Sequence, residues 1–342
     1  MIHIAFLGDI SLNDTYTNLA KAGKKPFYEI ENYLSDKDLV IGNLEAFAEG
    51  TGENTLKKPR LKTSIEALNY LKQLNIGLVT LANNHISDNL EEGFDNTIRY
   101  LSNAGIDYIG ASTSSEGVHY PYLCTIKNKR FAFFNYVTAD THPAIPPENE
   151  IYVNFYNRSS ILHDISTYRP ICDYLILLLH WGGRLEGAIY PDFYQITDSH
   201  AFIDAGADLI IGHHSHVFQP YEKYNGRYIY YSLGNFCFSD ISFEGYKINM
   251  QKKCGYSDSA IVDVTFDINN FTSHIVPIKN KTHYIIPAKS LPLTFIFASF
   301  FFPVIKKIKP IWKIYFFYRN TCLMFLYRLK LTVKSIRRKN QQ

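Results

Sequence analysis

Acidic residues stop early in this chain of 342 residues: nothing after Asp267 is Asp or Glu. Cysteine is sparse as well. Cys124, Cys172, Cys237, Cys254 and Cys322 are odd in number, widely spaced and without a CxxC pair. A disulfide framework and a thiolate zinc site are thereby excluded. The opening MIHIAFLGD lacks the basic stretch, long apolar segment and small-residue cleavage site of a secretory leader, so a cytoplasmic body is expected. The tail's uncharged stretch, Thr294 to Ile305, has twelve residues and contains Pro303. That is short of the ~20 residues a membrane-spanning helix needs. No internal repeat and no low-complexity linker is found. What is present is apolar, 46% of the residues, enough for a sizeable core and too much for a disordered chain.

Short apolar runs recur, each followed by a polar group. IHIAFL leads into Gly8-Asp9, LVI into Gly42-Asn43-Leu44-Glu45, and GLVTLA into Asn83-Asn84-His85. YLILLL leads into His180-Trp181, LII into Gly212 and its histidines, and YIYYSL into Gly234-Asn235. Runs of this length, rich in Ile, Val, Leu and Tyr, are predicted to be buried strands. Helical patterns start at Pro26, Ser64 and Leu90, the last two with apolar residues at three and four spacings. Alternating strands and helices imply an α/β fold with a largely parallel sheet, and such sheets bind ligands beyond the carboxyl ends of their strands. Each of these groups alone has a plain explanation as a cap or a turn. All six strand ends together point to a site.

The densest cluster is LIIGHHSHVFQP, with His213, His214 and His216 in four positions. Neutral imidazole is the commonest protein metal ligand. In extended backbone, side chains two apart point the same way. His214 and His216 are therefore expected to face one point and His213 to turn away. Carboxylate, carboxamide and imidazole without thiolate suit Mn, Fe, Zn, Co or Mg. Five or six ligands exceed one tetrahedral ion and would serve two ions bridged by a carboxylate, about 3.5–4 Å apart.

GDISL, GNLEAF, LANNHISDNLEEGFDNT, HWGG, GADLIIGHHSHVFQP and YYSLGNFCF resemble, in order, the signature stretches of the CapA capsule-synthesis family. That family includes poly-γ-glutamate biosynthesis accessory proteins and is similar to the calcineurin-like metallophosphoesterases. The resemblance spans roughly residues 3 to 280. It implies a four-layer α/β/β/α sandwich, a role in capsule or exopolymer biosynthesis, and two divalent ions, Mn, Fe, Zn or Mg. The implied metal ligands are Asp9, a bridging Glu45, Asn84, His180, His214 and His216, with His85 as the catalytic residue beside them. Asn43, Asn83, Asp88, Trp181, Arg184, Glu186, His213 and Asn235 are expected to support these groups or touch substrate, with His213 in a lateral position. Two departures stand out. The metallophosphoesterase DxH motif has Ser11 at its third position here, and Arg184 follows HWG where the family often has an acidic residue, with Glu186 two positions on.

The net charge of +3 hides a division. Twelve of the 35 basic residues lie between Lys289 and Lys339, which leaves the remainder with 23 against 32 acidic ones, a net of −9. The expected division is a body over 1–284 and a helical, basic, amphipathic tail over 285–342, with the boundary near Pro287. A tail interleaving aromatics with Lys and Arg fits an anionic membrane surface at the inner face of the cell membrane. The alternatives are docking on a partner, such as a polymer synthase subunit, and nucleic acid. No nucleic-acid motif accompanies the charge, so that last partner is not expected.

Overall fold

The computed structural model describes residues 1–323 apart from 52–58, 142, 184–185, 244–245, 254 and 268–269. Two sheets carry the architecture. The first has eight strands, in the order Tyr284–Pro287, Phe271–Lys281, Asp258–Phe266, Ile2–Ser11, Leu39–Leu44, Ile76–Thr80 and Asp107–Ile109, with Asn235–Phe238 also paired to Ile2–Ser11. The second has six: Tyr221–Tyr224, Arg227–Tyr230, Leu209–His213, Tyr174–His180, Lys129–Val137 and Tyr122–Ile126. The strands that carry the polar ends are parallel to their neighbours. Antiparallel strands complete the two sheets, among them Asp258–Phe266, which lies between Phe271–Lys281 and Ile2–Ser11.

The period of two along each strand builds the layers. Ile4, Phe6, Ile41 and Leu78 of the first sheet pack against Phe133, Ile176, Leu178 and Ile211 of the second. Ala5, Leu7, Val40 and Val79 face the other way, onto Tyr16, Ile30, Leu34, Leu68, Leu71 and Phe94 of the helices Thr15–Lys21, Tyr28–Ser35, Ile65–Gln73 and Leu90–Ala104. Leu175, Leu177, Leu179 and Ile210 turn outward onto Ile161, Ile165 and Phe202 of Arg158–Tyr168 and Phe193–Ala205. The result is the expected four-layer α/β/β/α sandwich. Every one of these strand side chains is buried, each of the larger ones contributing about 1.5–3 kcal/mol of transfer free energy and Ala5 less.

The strand of YIYYSL ends at Tyr230. Arg227–Tyr230 belongs to the second sheet, while Asn235–Phe238 joins the first. Gly234, at φ +70°, makes the crossing, and its carbonyl accepts the Asp9 amide proton at 2.8 Å. A Cβ on Gly8 would lie 2.0 Å from that carbonyl, so glycine is required where the two sheets are stitched together.

The start of the tail is docked. Phe295 and Phe302 of the helix Leu293–Ile305, and Trp312 of the helix Lys309–Phe317, are buried against the body. Phe295 lies 4.6 Å, ring to ring, from Phe218, and Phe302 stacks on Tyr190. Lys306 pairs with Glu222, which also accepts from the Tyr231 hydroxyl at 2.5 Å and contacts His200 Nε2 at 2.6 Å. Burial opposes the Glu222 charge, but these partners hold the carboxyl down at about 2, against 4.5 ordinarily. A depressed acid stabilises the fold above its unfolded pKa and loses that contribution as pH falls through the folded value. Glu222→Gln should therefore cost stability most above pH 4.5, and its deficit should shrink as pH falls toward about 2. Denaturant melts of both proteins across that range check this, and a deficit independent of pH would contradict it.

Candidate metal centre

The carboxyl ends of both sheets meet at one buried place. Register brings this about. Asp9 lies opposite Asn43 and Asn235 on its two neighbours, Asn43 lies opposite Thr80, and His180 lies opposite His213 in the second sheet. The Asn43 amide is the hub: Nδ2 donates to Asp9 Oδ1 at 2.9 Å and Glu45 Oε1 at 3.1 Å, and lies 3.2 Å from His180 Nδ1. Thr80 Oγ1 donates to Asn43 Oδ1 at 3.0 Å and holds the amide in that orientation. Asp9, Glu45 and His180 offer ligand atoms within 4.8 Å of one another, all fully buried. His180 Nε2 lies 2.8 Å from Asn84 Oδ1, and its ring centre is 4.9 Å from that of His214.

The histidine cluster converges by a route other than extended backbone. The strand ends at His213, and His214 and His216 have φ of 93° and 59°. Positive φ in non-glycine residues costs about 1–3 kcal/mol each and gathers at functional sites. The twist turns the His214 amide onto Asp9 Oδ2 at 3.3 Å and sets His216 Nδ1 3.4 Å from the same oxygen. His213 is not turned away as the alternation of an extended chain suggested. Its Nδ1 sits 3.1 Å from Asp9 Oδ1, because it is still within the strand that faces Asp9.

The remaining expected residues separate into two groups. Asn235 Oδ1 contacts His216 Nδ1 at 2.7 Å, and Glu186 Oε2 lies 3.6 Å from His216 Nε2, so both belong to the cluster. His85 Nδ1 lies 2.7 Å from Asp88 Oδ2, which also accepts from the Leu61 amide. Asn83 donates to the Leu44 carbonyl and accepts from the His85 amide, fixing the loop that presents Asn84 and His85. Trp181 is a correction: it is a core residue, its Nε1 donating to the Tyr231 carbonyl at 2.9 Å among Tyr156, Tyr194 and Tyr231. The alternation that aims His180 at the site turns the next side chain away. Ser11 donates to Asn13 Oδ1 at 2.6 Å. Arg184 lies outside the described residues. Two contributors had no motif to betray them. Lys253 lies 3.8 Å from Glu186, and Arg319 of the tail donates to the Glu186 carbonyl at 3.2 Å.

The electrostatics fit a cation. Burial, then the neighbouring Asp9 charge, push the Glu45 carboxyl well above its usual range. Burial opposes ionisation of Asp9 too, but hydrogen bonds from His213 and His216 hold it well below. Burial and the neighbouring His214 keep the His180 ring neutral, the form that ligates metal. His216 is held protonated against burial by Glu186 and Asp9. Two polar atoms, Glu45 Oε2 and His214 Nδ1, are buried without a hydrogen-bond partner. Buried polar atoms seldom lack a partner, and an ion is one explanation when they do. A divalent ion would let both carboxylates ionise together.

An α/β/β/α sandwich thus gathers, at its joined strand ends, a buried carboxylate–imidazole cluster that could hold a metal ion. The chain belongs to the bacterial capsule synthesis protein PGA_cap family, whose model matches residues 3–240. It is 28% identical over 256 residues to the PGA biosynthesis protein CapA of Bacillus subtilis, covering 70% of this chain and 63% of that one. It is 29% identical over 220 residues to the capsule biosynthesis protein CapA of Bacillus anthracis, covering 62% and 53%. The chain thus spans between about half and two thirds of the length of these relatives. Among solved structures, a hypothetical protein from Thermus thermophilus is similar at a TM-score of 0.48 and 14% identity, over 84% of this chain and 99% of that one. A 5'-nucleotidase precursor from the same organism has a TM-score of 0.44 at 12% identity, over 89% and 59%.

Titrating chelator-treated protein with Mn²⁺ should raise its unfolding free energy by about 2.7 kcal/mol at a hundredfold excess over Kd. Glu45→Gln should abolish most of that gain. Denaturant melts unmoved by Mn²⁺, Zn²⁺ and Mg²⁺ alike would remove the metal reading.

Proposed function

We propose that this chain is a metal-dependent, metallophosphoesterase-like hydrolase in capsule or exopolymer biosynthesis, of poly-γ-glutamate or polysaccharide. The burial of Asp9, Glu45 and His180 around one point carries this reading. Asp9, Glu45, Asn84, His180, His214 and His216 would hold the divalent ions. Divalent ions there supply charge that polarises a phosphoryl or carbonyl oxygen and lowers the pKa of water. His85, steadied by Asp88 at 2.7 Å, would protonate the leaving oxygen or nitrogen of a phosphoester or γ-glutamyl amide. The two Bacillus relatives, a PGA biosynthesis protein and a capsule biosynthesis protein, support the process assignment.

A second reading is favoured by one observation. Ser11 stands where the related phosphoesterases have an imidazole, and its hydroxyl is turned to Asn13. With one ligand fewer, the chain would serve as a non-catalytic accessory subunit of a polymer synthase or export complex. Hydrolysis of p-nitrophenyl phosphodiesters and γ-glutamyl anilides with added manganese separates the two. On the hydrolase reading, His85→Asn keeps its metal content and loses about 10²–10⁴ in turnover. Metal loss in that variant would make His85 a ligand instead. Bound metal without turnover on either substrate class would favour the accessory role.

A further inference from the structure

The two tail helices are apolar on both sides, and only one side is covered by the body. On Leu293–Ile305 the docked stripe is Phe295, Ala298 and Phe302, at three and four spacings. The opposite face presents Leu293, Ile296, Phe297, Phe300, Phe301 and Val304, with Phe297 66% and Phe300 76% exposed. Lys309–Phe317 repeats the arrangement, with Trp312 docked and Ile311, Ile314 and Phe317 exposed. Soluble surfaces seldom gather so many large apolar side chains, and such patches mark protein or lipid contacts.

The charge around the patch chooses between those partners. The face on Leu293–Ile305 carries no charge, while Lys307, Lys309 and Lys313 lie exposed just beyond it. No Asp or Glu occurs anywhere from residue 268 to the end, and six further cations follow Arg319 in sequence. Residues 1–288 have a net charge of −9. A second copy of this chain would bring like-charged tails together on the patch. Among the described residues, no helix is long and apolar enough to cross a membrane. An apolar face flanked by cations and too short to span lies in the plane of a bilayer. We propose that the exposed face of the two tail helices docks on an anionic lipid bilayer, with Phe297 and Phe300 inserted and the lysines on the headgroups. The body is held to that surface by the buried stripe of the same helices and by the Lys306–Glu222 pair. This inference does not depend on the catalytic reading.

Each cation near an anionic surface strengthens binding about fivefold, and that part weakens with salt. The apolar part does not. The test is flotation of the full chain with phosphatidylglycerol-containing vesicles and with pure phosphatidylcholine vesicles, at low and high salt. The proposal expects binding to the anionic vesicles, partial release in high salt, and much weaker binding to phosphatidylcholine. The double variant Phe297→Ser, Phe300→Ser should bind at least about tenfold more weakly, with its melt unchanged because both side chains are exposed. Lys307→Glu with Lys313→Glu should lower anionic binding and its salt dependence together. A full chain that ignores anionic vesicles overturns the proposal. So does a chain dimer broken by the phenylalanine variant while vesicle binding stays as it was.

Discussion

Asp9 and Glu45 are buried side by side where two sheets end, and that constraint governs the rest of the molecule. Two carboxylates without water cannot both hold their charge unless cations face them. The chain sets imidazoles against Asp9. His213 and His216 are turned onto Asp9, the Asn43 amide is shared between both carboxylates, and burial beside Asp9 pushes the Glu45 carboxyl well above its usual range. The cost of that arrangement is visible in the backbone, where His214 and His216 adopt positive φ. Orphaned atoms on Glu45 and His214 mark where protein alone falls short.

The sandwich exists to bring those ends together. The first sheet delivers Asp9, Asn43 and Glu45, the second delivers His180 and His213, and Gly234 carries the chain across so that Asn235 can reach His216. Close approach at Gly8 makes that crossing tight. The tail meets the site from outside, through Arg319 on the carbonyl of Glu186. The tail's docked stripe therefore belongs to the fold, and its exposed stripe is what remains for a partner.

Most of this was legible because strand periodicity and a polar group just past each strand are local signals. Asp9, Glu45, Asn84, His180 and the histidine cluster each announce themselves that way. What failed was non-local. YIYYSL looks continuous, but its strand stops at Tyr230 and the next one, Asn235–Phe238, lies in the other sheet. Strand alternation mispointed His213, because the left-handed backbone that follows it has no signature in HHSH. Trp181 sits beside a site residue in sequence yet faces the core. The antiparallel strands from Asp258 on end in no conspicuous polar group, so nothing local in the sequence marks their part in the first sheet. Glu186 gains meaning only from His216 and Lys253, both remote in sequence.

The central claim is that Asp9 and Glu45 share a divalent cation. Elemental analysis of the purified full chain and of Glu45→Ala, each counted as metal per protein, addresses it most directly. The account predicts metal in the wild-type chain and its loss from Glu45→Ala in a protein that stays folded. Equal metal content in the two proteins would contradict it.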